Sequence, residues 1–177
     1  MSNLPQLFMR KPRMDDLPPF AMPEGFALHT HVEGTESTWE DLIEKAFGSR
    51  FSFEKCIRNG GGYKPEYVMY ISKDGKDIAT VTAVEKEDFP GEGWFRMVGS
   101  DPEARGLGAG RMAALAALHS LAARGYTSTV LSTDDFRIPA LSLYLSLGFE
   151  PLMTHESHPA RWEKVLAEIA AIKAKKR

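Results

Sequence analysis

The spacing of apolar residues changes period several times along the chain, and each change marks an element. Residues 25–32, GFALHTHV, read as a first strand. From Thr38, the apolar positions Trp39, Leu42, Ile43 and Ala46 recur at helical spacing, Asp41 stands where a capping acid belongs, and Gly48 closes the helix. A second short helix over 53–58 ends in the glycine loop Asn59-Gly60-Gly61-Gly62. Beyond Glu66 the period becomes strand-like. Residues 67–72 and 77–85 are rich in β-branched and aromatic side chains, and the link Lys73-Asp74-Gly75-Lys76 predicts a hairpin, so the two are antiparallel neighbours. Past the turn at 88–93, a strand over 94–100 runs directly into a glycine stretch. The helix that follows reaches Arg124, with Leu115, Leu118, Leu121 and Ala122 as its apolar side, and Gly125 stops it. A strand over 127–133, a helix over 139–147, a strand over 149–155 and a helix after Pro159 complete the order. That last helix carries Trp162, Val165, Leu166, Ile169 and Ile172 on one side. Ahead of all this, Pro5, Pro12, Pro18, Pro19 and Pro23 make residues 1–24 an extended arm, leaving 25–177 as one domain. The order β-α-α-β-β-β-α-β-α-β, followed by a helix, is that of an α/β (α+β) domain.

Composition narrows the partners. A chain of 177 residues fills one ordinary domain. A net charge of −2, with both signs mixed along the chain, lacks the basic face of a dedicated nucleic-acid binder and points to a small partner. A lone cysteine, Cys56, cannot close an internal disulfide and suits a reducing compartment. No apolar run approaches the roughly 18 residues needed to span a bilayer, and the start of the chain lacks an apolar core of signal-peptide length, so the expectation is a cytoplasmic protein with no membrane partner. A homodimer is compatible with this reading.

The stretch DPEARGLGAGRMAAL, residues 101–115, places glycines at 106, 108 and 110 at the mouth of a helix. Each ordered glycine costs roughly 0.5–1 kcal/mol relative to alanine, so three together call for a close approach of backbone to something. A helix N-terminus offers unpaired N–H groups and positive partial charge, which makes the stretch a phosphate cradle. A dinucleotide-binding turn needs G-x-G-x-x-G within repeated βαβ units, whereas G-x-G-x-G here follows an antiparallel hairpin, although Asp134 imitates the ribose-binding acid. A Walker loop needs Gly-Lys-Ser/Thr, which is missing.

Arg105-Gly106-Leu107-Gly108-Ala109-Gly110 fits R/Q-x-x-G-x-G/A, and residues 102–106, PEARG, match its usual lead-in. Residues 140–149, ALSLYLSLGF, fill every fixed position of A-x-x-L-Y-x-x-L-G-F. With both motifs in order, residues 94–151 resemble the GNAT N-acetyltransferase superfamily. That resemblance implies a mixed, mostly antiparallel sheet with helices on both faces and a splay between strands 94–100 and 127–133. It implies acetyl-CoA as cosubstrate, its pantetheine paired with main-chain groups of Val98, Gly99 and Ser100. The pyrophosphate would lie on the N–H groups of Gly106, Leu107, Gly108, Ala109, Gly110 and Arg111, behind Arg105. The family more often has an aliphatic residue where Ser100 stands, and asparagine where Arg137 stands. An arginine near a helix start is unfavourable unless it meets an anion, and cofactor or substrate would supply one.

Tyr144 belongs to an i, i+3, i+4, i+7 stripe with Ala140, Leu143 and Leu147, which by itself describes a half-buried core residue. The resemblance makes it the acid that protonates the departing thiolate, with Ser132 or water as the substitute source. A protonated alkyl amine must also lose a proton before it attacks, and Glu85 and Asp134, both at strand ends, are the preferred bases among several turn acids. The five histidines show no metal-ligand spacing with a third ligand, and no metal is expected. The predicted activity is acetyl-CoA-dependent N-acetyl transfer to a small-molecule amine by direct attack through a tetrahedral intermediate. The alternative is a catalytically inactive acyl-CoA-binding regulatory module.

Overall fold

Asp74 and Gly75 both adopt positive φ, 50° and 81°, the pairing that a two-residue hairpin turn of matching twist requires. They join β3 (Val68–Lys73) to β4 (Lys76–Glu85), and β2 (Phe26–Thr30) and β5 (Gly93–Ser100) flank this hairpin, each antiparallel to its neighbour. The structure, a computed structural model, describes residues 4–176. The chain divides into two units: Arg13–Thr129 forms one, and the segments up to Pro12 and from Val130 onward form the other.

In the first unit, helix α1 (Glu36–Phe47) starts earlier than its apolar spacing predicts. The Gly34 N–H donates to Glu36 Oε1 (3.2 Å) and the Thr35 hydroxyl to the Val32 carbonyl (2.6 Å), so the acid at the helix start is Glu36. Asp41 lies well inside α1 and pairs with Arg50 at 2.8 Å. Gly48, at φ 73°, ends the helix as expected. The short α2 (Phe53–Cys56) is capped by the Ser52 hydroxyl, and its aromatic Phe53 joins Trp39, Leu42, Ile43 and Tyr70 in a buried cluster. Helix α3 (Ala109–Ala123) packs against β3, β4 and β5. Its expected apolar stripe is too narrow: Ala113, Ala114, Ala116 and Ala117 are buried as well, and their small size lets the helix sit close to the sheet.

A bulge in β5 decides which helix each of its glycines meets. Thr82 faces Arg96, but Thr80 faces Gly99, so Met97 and Val98 together oppose Val81 and one extra residue enters the strand. One inserted residue flips the side-chain alternation. Gly93 and Gly99, of equal parity, therefore face different helices. A Cβ on Gly93 would lie 2.9 Å from Leu121 of α3, and one on Gly99 would lie 2.9 Å from Ile43 of α1. Helices thus lie on both faces of this part of the sheet. Near the start of β5, the Gly93 N–H donates to the Ser128 carbonyl (3.0 Å) and the Thr129 hydroxyl to the Gly93 carbonyl (2.8 Å).

The second unit opens with β1 (Leu7–Lys11), inside the segment read from sequence as an extended arm. Leu7, Met9 and Lys11 are buried in alternation with Phe8 and Arg10, a period-2 pattern too short to stand out among prolines. β1 pairs antiparallel with β7 (Glu150–Leu152) and neighbours β6 (Thr129–Thr133). Helices α4 (Ile138–Ser146) and α5 (His158–Lys175) pack on each other, with Leu141, Tyr144, Phe149, Trp162 and Val165 buried. No helix among the described residues is long and apolar enough to cross a membrane.

Candidate active site

The glycine stretch folds as a tight turn that delivers the chain into α3. Asp101 leads it: its buried carboxylate accepts the Glu103 N–H at 3.0 Å and lies 3.4 Å from Lys45 and 3.5 Å from Lys76. The Glu103 N–H chiefly, helped by both lysines, holds this carboxyl below its usual range against the opposing effect of burial. Sequence reasoning gave Asp101 no role, although an acid directly before Pro102 is a turn signal. Gly106 and Gly108 adopt φ 87° and 75°, and a Cβ at either would meet no described residue beyond its chain neighbours within 4 Å. Their glycine character follows from left-handed backbone and not from crowding, and the space above them is open. Gly108 stands at the N-cap of α3 with no side-chain cap, so the leading N–H groups of the helix, on Ala109, Gly110 and Arg111, are available to an anion. Arg105, Leu107 and Arg111 are exposed around the turn.

The strand feeding this turn carries a strained residue. Met97, at φ 52°, occupies the left-handed region that disfavours a side chain, and it does so inside the β5 bulge. Val98 shares the bulge and is displaced from the regular ladder, whereas Gly99 and Ser100 resume pairing with Thr80 and Ala79. No sequence signal marks Met97, because methionine has no special liking for positive φ.

Tyr144 sits on α4, buried, its ring 5.9 Å from that of Phe149. Burial pushes its phenol above the usual tyrosine value, with Arg137 pulling weakly the other way, so the hydroxyl stays protonated throughout the neutral range. The motif's Gly148, at φ 86°, ends the helix turn so that the Phe149 N–H donates to the Tyr144 carbonyl at 3.0 Å. Tyr144 and Phe149 of the second motif are thereby fixed in one local unit.

The glycine turn and the tyrosine helix both lie within residues 30–149, the span matched by the model of the Acetyltransferase (GNAT) family. The chain belongs to that family. It is 33% identical over 152 residues to a mycothiol acetyltransferase of Thermomonospora curvata, a match covering 81% of this chain and 50% of the relative. A mycothiol acetyltransferase of Thermobifida fusca is 46% identical over 128 residues, covering 70% of this chain and 37% of the relative. The GCN5-related N-acetyltransferase of Sphaerobacter thermophilus superposes with a TM-score of 0.65 at 25% identity, over 84% of this chain and 50% of that one. The chain thus spans about half the length of the curated relatives it matches. The predicted α/β GNAT fold is therefore the observed one.

Within this GNAT chain the two carboxylates expected as bases have different surroundings. Glu85 accepts the Tyr126 hydroxyl at 2.8 Å and the Gly91 N–H at 3.2 Å, and these two donors, the tyrosine first, lower its pKa. It pairs in register with Gly93, while the glycine turn begins beyond Ser100, paired with Ala79, so residues 79 to 85 of β4 separate them by roughly 20 Å. Asp134 accepts Gln6 Nε2 at 3.1 Å and Arg137 Nε at 3.2 Å. Arg137 therefore meets its anion within the protein: Asp134 offsets the unfavourable cation at the start of α4. Ser132, the substitute proton source, donates to Gln6 Oε1 at 2.9 Å, and Asp135 is held by Arg161. The part played by Gln6 was illegible beforehand, since it lies more than a hundred residues away.

His31, Glu33 and Glu36 place three possible ligand atoms within 4.8 Å of one another, a grouping that spacing alone did not suggest. A cation already stands there: the Arg58 guanidinium bonds both glutamates, and Tyr63 donates to Glu33 at 2.6 Å. The Glu36 carboxyl is lowered to about 2, first by its own N–H, then by that of Gly34, with Arg58 adding to the effect. Burial lowers the His31 imidazole, favouring its neutral form. The cluster reads as an ion-pair clasp between the end of β2 and the start of α1.

Proposed function

We propose that this chain transfers an acetyl group from acetyl-CoA to a primary amine of a small molecule. The open, left-handed glycine turn at the uncapped start of α3 carries the reading. It presents backbone N–H groups and a positive helix end to a pyrophosphate, in a chain of the GNAT family. The relatives named mycothiol acetyltransferases support a small-molecule acceptor. The free thiol of Cys56 supports a reducing, cytoplasmic setting.

Acetyl-CoA supplies a thioester whose acyl carbon takes the amine nitrogen while the carbon–sulfur bond breaks. The residues of this chain manage the protons. Tyr144, kept protonated by burial, gives its hydroxyl proton to the departing sulfur. Glu85, whose carboxylate accepts from the Tyr126 hydroxyl and the Gly91 N–H, takes the surplus amine proton through water. Asp134 is committed to Arg137 and Gln6 and orients the start of α4 instead. Val98, Gly99 and Ser100 offer main-chain groups to the pantetheine, with Arg105 and Arg111 flanking the phosphates.

A thermal-shift titration tests the donor. Acetyl-CoA binds only the folded state and should raise the melting temperature, whereas NADH should not. Equal shifts from both, or a shift from NADH alone, would overturn the assignment.

A further inference from the structure

Arg96 lies on β5 one residue before the strained Met97, on the strand that leads to the glycine turn. Its side chain is half-buried, yet among the described residues no carboxylate pairs with it. The guanidinium donates to the Cys56 carbonyl, and burial holds it below the usual arginine range with only Cys56 opposing. A partly desolvated cation without a counter-charge is a standing cost to the fold. The surrounding chain makes room for it all the same: a Cβ on Gly60 would lie 2.7 Å from Arg96 Nη1, so the first glycine of the 60–62 loop is the gap in which the guanidinium rests. Its nitrogens are not among the buried polar atoms left without a partner, so those that Cys56 does not take reach accessible space.

A second polar group waits beside it. Thr82 faces Arg96 directly across the β4–β5 ladder, so the two side chains project from the same face at neighbouring positions. The Thr82 hydroxyl is buried and, among the described residues, has no hydrogen-bond partner. An unsatisfied buried hydroxyl in a folded protein is itself a cost that invites an explanation. A planar guanidinium with one edge engaged presents its other edge as a two-donor fork, the geometry that matches a carboxylate.

We infer that Arg96 and Thr82 form an anion subsite that selects an amine acceptor bearing a carboxylate. This rests on the acetyltransferase reading above and narrows its substrate class. A carboxylate there would receive the free fork of Arg96 and the Thr82 hydroxyl, cancelling both standing costs at once.

The test compares amino acids and dipeptides with their own carboxamides as acceptors, following CoA release. The wild type should favour the acid over its amide by about 10- to 100-fold in kcat/KM, the worth of one charge-assisted contact. Arg96→Gln should bring that ratio close to one through KM, and Thr82→Val should lower it a few-fold. Arg96→Lys, which keeps the charge and loses the fork, should fall between. Calorimetric titration of N-acetylalanine and N-acetylalaninamide into the CoA complex reads the same preference without turnover. A wild type indifferent to the carboxylate in both measurements, or an Arg96→Gln protein that folds and keeps the preference, would overturn the subsite. An unchanged ratio in Thr82→Val would strike the hydroxyl from it. A protein that discriminates the acetylated acid from its amide in calorimetry but acetylates nothing would sustain the subsite and sink the catalytic reading.

Discussion

Gly108→Glu separates the phosphate cradle from the fold that carries it. Gly108 adopts φ 75°, so any side chain there incurs the left-handed penalty of about 1–2 kcal/mol. Beyond its chain neighbours, no described residue lies within 4 Å of the position a Cβ would take, so no clash adds to that. An acid at the N-cap of α3 is also favourable to the helix end, recovering about 0.3–1 kcal/mol. The net cost of about 0–2 kcal/mol lowers the melting temperature by at most about 8 °C at this size, and the protein stays folded. Binding fares differently, because the new carboxylate stands where the phosphates should rest. Acetyl-CoA at 100 times its Kd stabilises the wild type by about 2.7 kcal/mol, an upward shift of about 5–11 °C, which the variant should lack. Gly125→Glu is the control, with φ 90°, equally open space and a place beyond the far end of α3. It should lose somewhat more stability, because its acid meets the negative end of the helix, and keep the acetyl-CoA shift. A Gly108→Glu protein that binds acetyl-CoA as the wild type does would refute the cradle, and loss of the shift in both variants would mean that strain alone abolishes binding.

Further outcomes follow from the packing and the ionisations. Tyr144→Phe removes only a hydroxyl from a buried stripe, so melting and acetyl-CoA affinity should hold while kcat falls roughly 100-fold in steady-state assays. Gly99→Val drives a branched side chain into Ile43 and Ala46 of α1, at 2.9 and 3.0 Å, and calorimetry should register about 1–3 kcal/mol of lost stability. Glu36 is depressed from 4.5 to about 2, so its stabilisation is complete above 4.5 and disappears as pH falls toward 2. The melting-temperature gap between wild type and Glu36→Gln should therefore close over that window, and a constant gap would count against the clasp.

What was legible beforehand follows the range of the interactions. The Asp74-Gly75 turn, the stop at Gly48 and the glycine turn before α3 depend on a few neighbouring residues, and each lies where its local chemistry puts it. Strand β1 escaped because five alternating residues among prolines carry little periodic signal, and what defines it is pairing with β7 far along the chain. The bulge at Met97 escaped for a related reason: it is a mismatch between two strands, which neither strand's sequence shows alone. At the site, the motifs marked the glycine turn and Tyr144. The partners of Asp134 and Glu85, namely Gln6, Arg137 and Tyr126, became visible only when the fold brought them together. The contact of Arg137 with Asp134, at 3.2 Å, likewise appears only in the folded chain.

Acetyl transfer from acetyl-CoA to an amine is the activity proposed for this chain. Its most direct measurement incubates the protein with acetyl-CoA and a broad panel of primary amines, quantifying released CoA and acetylated amine together by mass spectrometry. Acceptor-dependent release is expected, with CoA and acetylated amine formed in equal amounts. Acetyl-CoA bound but not consumed with any amine, or CoA released without acetylated product, would contradict it.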